Sequence, residues 1–400
     1  MGTIVQKFGG SSVADKEGLF RVARIITRTY DQGNNVVVVV SAQGDTTDDL
    51  IEKAREITSS PSRREMDMLL TTGEQISCSL LAMTIQELGY PSISLTAWQI
   101  PISSDSNYSN ARIKKISAER LNRELDQRKI VVVAGFQGIN KYDDIATLGR
   151  GGSDTTAVAL AATLKADLCQ IFTDVDGVYT ADPRIVPNAK KLPEISYDEM
   201  LELATLGAQV LHNRSVEMAK KYNVNLEVVS SFRDLPGTTV KEEVIVMEKM
   251  LISGVAKDDH VARISLIGLP DVPGIAFKLF GLLGKKNINV DLILQSVGRD
   301  GTKDISFTVS SDNLEDAMQL LKEKYPDKTI EFNDNVSKVS IVGGGMQSNA
   351  GVAAKMFEAL YNAGININMI STSDIKISVL IDREYSKQAV QCIHEMFFHD

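Results

Sequence analysis

Thr3-Ile4-Val5-Gln6-Lys7-Phe8-Gly9-Gly10-Ser11-Ser12 is a short apolar run that ends in a lysine and two glycines, with a helical pattern behind it. Strand, glycine turn and helix, in that order, make a layout for holding phosphate. Glycine lets the backbone come close to an anion, and the following helix start offers unpaired N–H groups and a positive dipole end. Lys7 adds a mobile point charge at the same place. The spacing is neither GxxxxGK[ST] nor GxGxxG. Taken alone, the stretch reads equally well as a tight surface turn with a solvated lysine.

Two later stretches share its chemical character. Leu148-Gly149-Arg150-Gly151-Gly152-Ser153-Asp154-Thr155-Thr156 again sets glycines before a helix start, and the helical run Ala157 to Leu164 follows. Ser153 and Asp154 are plain helix caps on one reading. Capping leaves Arg150 unexplained, because a guanidinium beside three glycines is a bidentate clamp for carboxylate or phosphate. Phe172-Thr173-Asp174-Val175-Asp176-Gly177-Val178-Tyr179-Thr180-Ala181-Asp182-Pro183-Arg184 follows the strand-like run Leu168 to Phe172. Its aspartates stabilise turns on one reading. On the other, an acidic, aromatic and basic loop at a strand's C-terminal end is where an α/β protein holds a nucleotide.

KFGGSS at Lys7–Ser12, TTGE at Thr71–Glu74, GRGGSD at Gly149–Asp154 and FTDVDGVYTADPR at Phe172–Arg184, in this order, resemble the amino-acid kinase family, and within it the aspartokinases. The resemblance runs from Lys7 to the last residues. It implies an α/β fold: an N-terminal three-layer α/β/α kinase domain with a mostly parallel sheet over residues 1–240, then a linker over 241–253. Two ferredoxin-like α+β ACT domains would follow, at 254–330 and 331–400, with an exchange of strands between them left open.

Composition sets compatible bounds. The 400 residues suffice for two or three domains, each able to bury its own core. A hydrophobic share of 43% and a charged share of 24% are ordinary for a globular protein. The net charge of −9 argues against a nucleic-acid or anionic-membrane surface. Cys78, Cys169 and Cys392 are far apart and odd in number, which fits free thiols in a reducing compartment. The four histidines, His212, His260, His394 and His399, show no zinc-ligand spacing. No stretch reaches transmembrane length and the N-terminus has no secretory pattern, so a cytoplasmic protein is expected.

Strand-like and helix-like segments alternate through residues 1–240, as in βα units. Val36 to Val40 is an unbroken valine run that fits a central strand covered on both faces. Ile130 to Ala134, followed by Gly135-Phe136, repeats that design. Helical periodicity predicts helices over Glu74 to Leu88 and Tyr197 to Val210. Ser231 to Lys241, with Pro236-Gly237, reads as a linker. Beyond it lies an internal repeat: Arg263-Ile264-Ser265-Leu266-Ile267-Gly268 matches Lys338-Val339-Ser340-Ile341-Val342-Gly343, and Asn287-Ile288-Asn289-Val290 matches Gly364-Ile365-Asn366-Ile367. Each copy reads strand, glycine loop, helix, strand.

The resemblance assigns roles. Lys7, Gly9 and Gly10 would meet the transferring phosphoryl group, and Asp154 and Asp174 would orient them or reach Mg²⁺ through water. Phe8, Ser41, Thr173, Asp174, Tyr179, Asp182 and Arg184 would surround ATP. Mg²⁺ would arrive on the nucleotide, with no metal site of the chain's own. For the acceptor, L-aspartate, Arg150 matches the α-carboxylate and Glu74 the α-ammonium, helped by Ser41, Asp45, Thr46, Thr47, Gly151, Gly152 and Ser153. Glu74 by itself reads as a first-turn glutamate favoured by the helix dipole. Gln209 stands where some relatives carry lysine.

Lysine, threonine or both together are the effectors that the resemblance implies. Asp271, Asn289, Val290, Asp291 and Gln295 would contact them in the first ACT module. Val352, Ala353, Asn366, Ile367, Ser373 and Asp374 would do so in the second. Val290 and Ile367 also read as core positions of strands. A homo-oligomer, dimer or tetramer, is expected through the ACT modules, and Met247 or Met250 is a candidate internal start for a short second subunit. Two rival readings stay open: another amino-acid kinase (for glutamate, acetylglutamate, carbamate or UMP), and a non-catalytic amino-acid sensor.

Overall fold

The computed structural model describes residues 2–206, 210–242, 251–298, 300–347 and 349–399; Gln209, Met247 and Met250 lie outside the described residues. The chain divides into two compact units. The first comprises Met1–Val178, Lys191–Thr205 and Gln209–Val246, and the second comprises Tyr179–Lys190, Leu206–Ala208 and Met247–Asp400.

The first unit opens with β1 (Thr3–Phe8), α1 (Lys16–Asp31), β2 (Asn35–Val40), α2 (Thr46–Ile57), α3 (Arg63–Leu70) and α4 (Thr72–Glu87). Next come β3 (Ser92–Leu95), β4 (Ile102–Ser104), β5 (Ile113–Ile116), α5 (Glu119–Asp126), β6 (Ile130–Ala134), β7 (Gln137–Ile139) and β8 (Ile145–Thr147). It continues through α6 (Gly152–Leu164), β9 (Leu168–Thr173), β10 (Glu194–Ser196), α7 (Tyr197–Thr205), α8 (Asn213–Tyr222), β11 (Leu226–Ser230) and β12 (Thr238–Lys241).

Its main sheet has the order β10-β12-β11-β9-β1-β2-β6-β3 and is parallel throughout except for the β11–β12 pair. A small sheet, β5-β4-β7-β8, stands beside it. The valines Val36 to Val40 are all wholly buried, as a strand flanked by β1 and β6 with covered faces must be. Val36, Val38 and Val40 pack with Leu19, Val22 and Ile26 of α1 and Leu81 and Ile85 of α4. On β1, β2 and β9 also packs α6, whose residues Ala157 to Ala161 are all buried.

Parallel registry carries the fold's consequence for chemistry. Lys7 pairs with Val39 and Ile171, and Val40 with Ala134. The strand ends before Gly9, Ser41, Gly135 and Asp174 therefore share one edge of the sheet, where α/β proteins bind ligands. Two expectations need correction. Thr238–Lys241, taken as part of a linker, is β12, because its alternating β-branched residues bury Thr238 and Val240 in the main sheet. The helix starting at Tyr197 is assigned only to Thr205.

The second unit contains β13 (Gly254–Asp258), β14 (Val261–Pro270), α9 (Ile275–Lys285), β15 (Ile293–Gln295), β16 (Thr302–Ser310), α10 (Leu314–Lys324) and β17 (Thr329–Asn333). After these come β18 (Val336–Val342), α11 (Val352–Asn362), β19 (Met369–Thr372), β20 (Lys376–Asp382) and α12 (Ser386–Phe398). One sheet is β15-β16-β14-β17, a continuous βαββαβ module. The other is β13-β18-β20-β19. Its edge strand β13 precedes the whole first module in sequence, so the two modules interleave. Val261, Leu292, Val336, Met369 and Leu380 form one buried cluster that joins them.

The segment Tyr179–Lys190 belongs to this second unit by its contacts. Ala181 and Val186 sit in the same core as Val255, Val339, Met356 and Ile393. The Thr180 carbonyl accepts the Val255 N–H at 2.8 Å, and its hydroxyl is 2.9 Å from His394 Nε2. No helix among the described residues is long and apolar enough to cross a membrane.

Candidate active site

A cavity of about 300 Å³ opens where the strand ends converge, lined by Lys7, Gly10, Ser41, Ala42, Gly44, Thr47, Glu74, Phe136 and the run Gly149–Asp154. Lys7 leaves the end of β1 with its Nζ 2.7 Å from Asp154 Oδ1, and both side chains are little exposed, 13% and 12%. That oxygen has no other partner among the described residues, so the lysine and the acid define one electrostatic centre. Gly10 is required by space: a Cβ there would lie 2.6 Å from the Ala42 carbonyl oxygen and 3.3 Å from that of Gly44.

Glu74 enters from the first turn of α4. Its Oε1 accepts the Ala42 N–H at 3.1 Å, while Oε2 is buried without a hydrogen-bond partner among the described residues. Burial pushes its carboxyl up to about 7, against the lowering effect of the Ala42 hydrogen bond. A buried acid with one unpartnered oxygen, in the wall of a cavity, is suited to a cation arriving from outside.

Arg150 lies exposed on the same wall, in a turn where Gly149 and Gly151 have φ of 77° and 69°. A Cβ on Gly151 would collide with the His212 ring. Asp154 then opens α6. Burial above all, with Arg214 and Arg150 nearby, lowers the His212 imidazole against the pull of Asp154.

The cavity thus gathers Lys7, Gly10, Ser41, Thr47, Glu74, Arg150, Gly151, Gly152, Ser153 and Asp154. Gly9 adjoins it, its missing side chain 3.7 Å from Lys7 Nζ. Phe8 does not turn its ring to the site: it is wholly buried and stacked on Phe172 at 4.5 Å. Asp45 and Thr46 open α2 outside the lining, with the Thr46 hydroxyl donating to Gln43 O at 2.5 Å. Thr173 Oγ1 donates to Asp174 Oδ1 at 3.0 Å, and Asp174 is exposed at the end of β9. Tyr179, Asp182 and Arg184 lie in the second unit, where Arg184 Nη2 pairs with Asp182 Oδ2 at 2.8 Å.

Phe136, Ala42 and Gly44 also line the site. Phe136 holds φ at 70°, an uncommon conformation for a bulky residue; Gly135-Phe136 at the end of an apolar run was its only signal.

The second unit has a cavity of its own, about 440 Å³, lined by Met346, Asn349, Gly351, Val352, Ala353, Thr372, Ser373, Asp374 and Ile377. Asn366 is exposed and Ile367 half-buried, and neither lines it. In the first module Asp271 Oδ1 pairs with Lys303 at 2.8 Å, and Asp291 pairs with the buried Lys338. Asn289 and Gln295 are exposed, and Val290 packs against the module core.

Comparison with known proteins gives the geometry its context. The Amino acid kinase family profile matches residues 2–230, and an ACT domain profile matches residues 264–325 and 339–397. An aspartokinase of Bacillus sp. (strain MGA3) is 51% identical over 400 residues, covering 99% of this chain and 97% of the relative. An aspartokinase of Mycolicibacterium smegmatis is 50% identical, covering 99% and 96%. The fold is similar to E. coli aspartokinase III in complex with aspartate and ADP (R-state), with a TM-score of 0.85, 26% identity and coverage of 99% and 100%. The same enzyme in complex with lysine and aspartate (T-state) gives a TM-score of 0.77 at 27% identity, covering 99% of each chain. The chain therefore belongs to the amino-acid kinase family, among its aspartokinases, with ACT domains in its C-terminal half.

Proposed function

We propose that the first unit transfers the γ-phosphoryl group of ATP to the side-chain carboxylate of L-aspartate, giving 4-phospho-L-aspartate. One observation carries the reading: Glu74 and Arg150, fit for the two charged ends of an α-amino acid, line the same cavity as the Lys7–Asp154 pair. Rival acceptors carry less, since full-length relatives near half identity bear the aspartokinase name.

The nucleophile needs no general base. A free aspartate side chain has a pKa near ~3.9, so it is ionised at neutral pH. What the site must supply is alignment and charge compensation for a metaphosphate-like group. Lys7 supplies a point charge beside the Gly9 and Gly10 amides, with Asp154 fixing its direction. The β-carboxylate oxygen attacks the γ-phosphorus, the bond from phosphorus to the bridging oxygen breaks, and the electron pair stays on the β-phosphate of the departing ADP.

Mg²⁺, when bound, neutralises charge on the nucleotide phosphates. Asp174, an exposed carboxylate at the strand edge, is the side chain suited to reach it through water. Nucleotide roles for Tyr179, Asp182 and Arg184 rest on the motif resemblance alone.

Regulation belongs to the same proposal. The second-unit cavity, with Val352, Ala353, Ser373 and Asp374 in its wall, would take lysine, threonine or both, as an E. coli relative's lysine complex supports. Homo-oligomers would form through the ACT modules, whose edge strand β15 is exposed along its length. ADP release measured across L-aspartate, L-glutamate, N-acetylglutamate and carbamate tests the acceptor. Activity with aspartate alone, reduced by lysine or threonine, is the expected result; preference for another acceptor overturns it.

A further inference from the structure

Arg150 sits between the most pliable residues available, Gly149 on one side and Gly151-Gly152 on the other. Its own side chain has no hydrogen bond or ion pair among the described residues. Such a turn, left to itself, would have to be ordered each time an acceptor bound, at the expense of affinity. The rigidity must come from outside.

Two side chains from separate helices supply it, and neither lines the cavity. Asp67, on α3, is wholly buried. Its Oδ2 accepts the N–H groups of Thr147 and Ser109, each at 2.8 Å. Its Oδ1 accepts the hydroxyls of the same two residues, at 2.8 and 3.3 Å. Arg214, on α8, donates Nη1 to the Leu148 carbonyl at 2.5 Å and to Asn110 Oδ1 at 3.0 Å, and Nη2 to the Ala111 carbonyl at 2.9 Å.

The gripped backbone is the stretch that enters the turn, residues 147 and 148, together with residues 109–111 packed beneath it. Contact there is close: a Cβ on Gly149 would lie 3.0 Å from Ser109 O and 3.2 Å from Asn110 Oδ1. A carboxylate that gathers four donors and a guanidinium that reaches two carbonyls and a side-chain amide hold backbone in place with charge-assisted bonds.

We infer that Asp67 and Arg214 are positioning residues for the acceptor's α-carboxylate: they act on it only by fixing the turn that presents Arg150. The inference rests on the proposed role of Arg150.

The test compares the full chain with Asp67→Asn, Arg214→Lys and Arg214→Gln in steady-state kinetics. Asparagine replaces an acceptor by a donor facing donors, and lysine keeps the charge but not the fork. KM for L-aspartate is expected to rise roughly fivefold or more, most for Arg214→Gln and less for Arg214→Lys, while KM for MgATP stays within about twofold. In an Arg150→Ala background, Arg214→Lys should add less than about twofold to the aspartate KM, because the clamp it positions is gone.

A fall in kcat with both KM values unchanged would overturn the inference, as would an equal Arg214→Lys effect with and without Arg150. If Asp67→Asn fails to fold, the Arg214–Arg150 cycle decides alone. Failure of the proposed function looks different: the unmodified chain would then not phosphorylate aspartate.

Discussion

Glu74 is 4% exposed and burial lifts its carboxyl to about 7, so folding and the substrate contact proposed for it ask for opposite charge states of one group. The folded-state value lies above that of the unfolded chain, so this residue's contribution to stability falls as pH rises from about 4.5 through about 7. Above that window the buried charge costs on the order of 3 kcal/mol. Glu74→Gln should therefore raise the thermal midpoint by several degrees at pH 8 and by much less at pH 5.5, measured by calorimetry. On the proposed assignment, the same substitution removes the partner of the substrate's ammonium. In the unmodified protein KM for L-aspartate should climb as pH falls below about 7, approaching roughly tenfold per unit, and in Glu74→Gln it should be high and flat. A flat profile in the unmodified protein contradicts the assignment. The sequence showed Glu74 only through its TTGE setting; its burial is a tertiary fact. Asp67 and Arg214 gave no signal at all, because their partners lie 80 and 66 residues away in sequence and a lone charged residue on a helix looks solvated.

Elements were far more legible. An unbroken valine run admits few fates other than a covered central strand, and glycines ahead of a helix start mark a close backbone approach. The turn after β1 makes that approach testable. Gly10→Ala forces a methyl against the Ala42 and Gly44 carbonyl oxygens, and neither backbone segment can yield without moving the site. A loss of kcat/KM of roughly 100-fold is expected, with a fall in stability of about 1–3 kcal/mol; near-normal turnover would show that the turn has room to spare. Strand β12 was missed because Pro236-Gly237 and a polar flank hide its two inward residues, Thr238 and Val240. The boundary of α7 was overrun for the opposite reason: apolar periodicity continues past Thr205 through Leu206 and Val210.

For the whole molecule, the interleaved strand matters most. The internal repeat begins at Arg263 and Lys338, and β13 has no counterpart in it; the expected first module, 254–330, took in Gly254–Asp258 with strand exchange left open, and the strand pairs instead with β18 of the second module. A fragment spanning 251–400 should fold with a cooperative melt, whereas one spanning 260–400 exposes β18 as an open edge and should melt early or aggregate; equal melts would contradict the pairing. A chain started at Met247 or Met250 would include that strand. In the second-unit cavity, Ser373→Trp should abolish inhibition by lysine or threonine while leaving kcat within about twofold, because the bulk fills the space proposed for the effector; retained inhibition would put the effector elsewhere. The most direct test of the central claim is trapping with hydroxylamine, which captures an acyl phosphate as a hydroxamate. With MgATP and L-aspartate the unmodified chain should give aspartyl hydroxamate, and Lys7→Ala should lose it by roughly 100-fold or more. No hydroxamate from aspartate, with product from another acceptor or from none, would contradict the account.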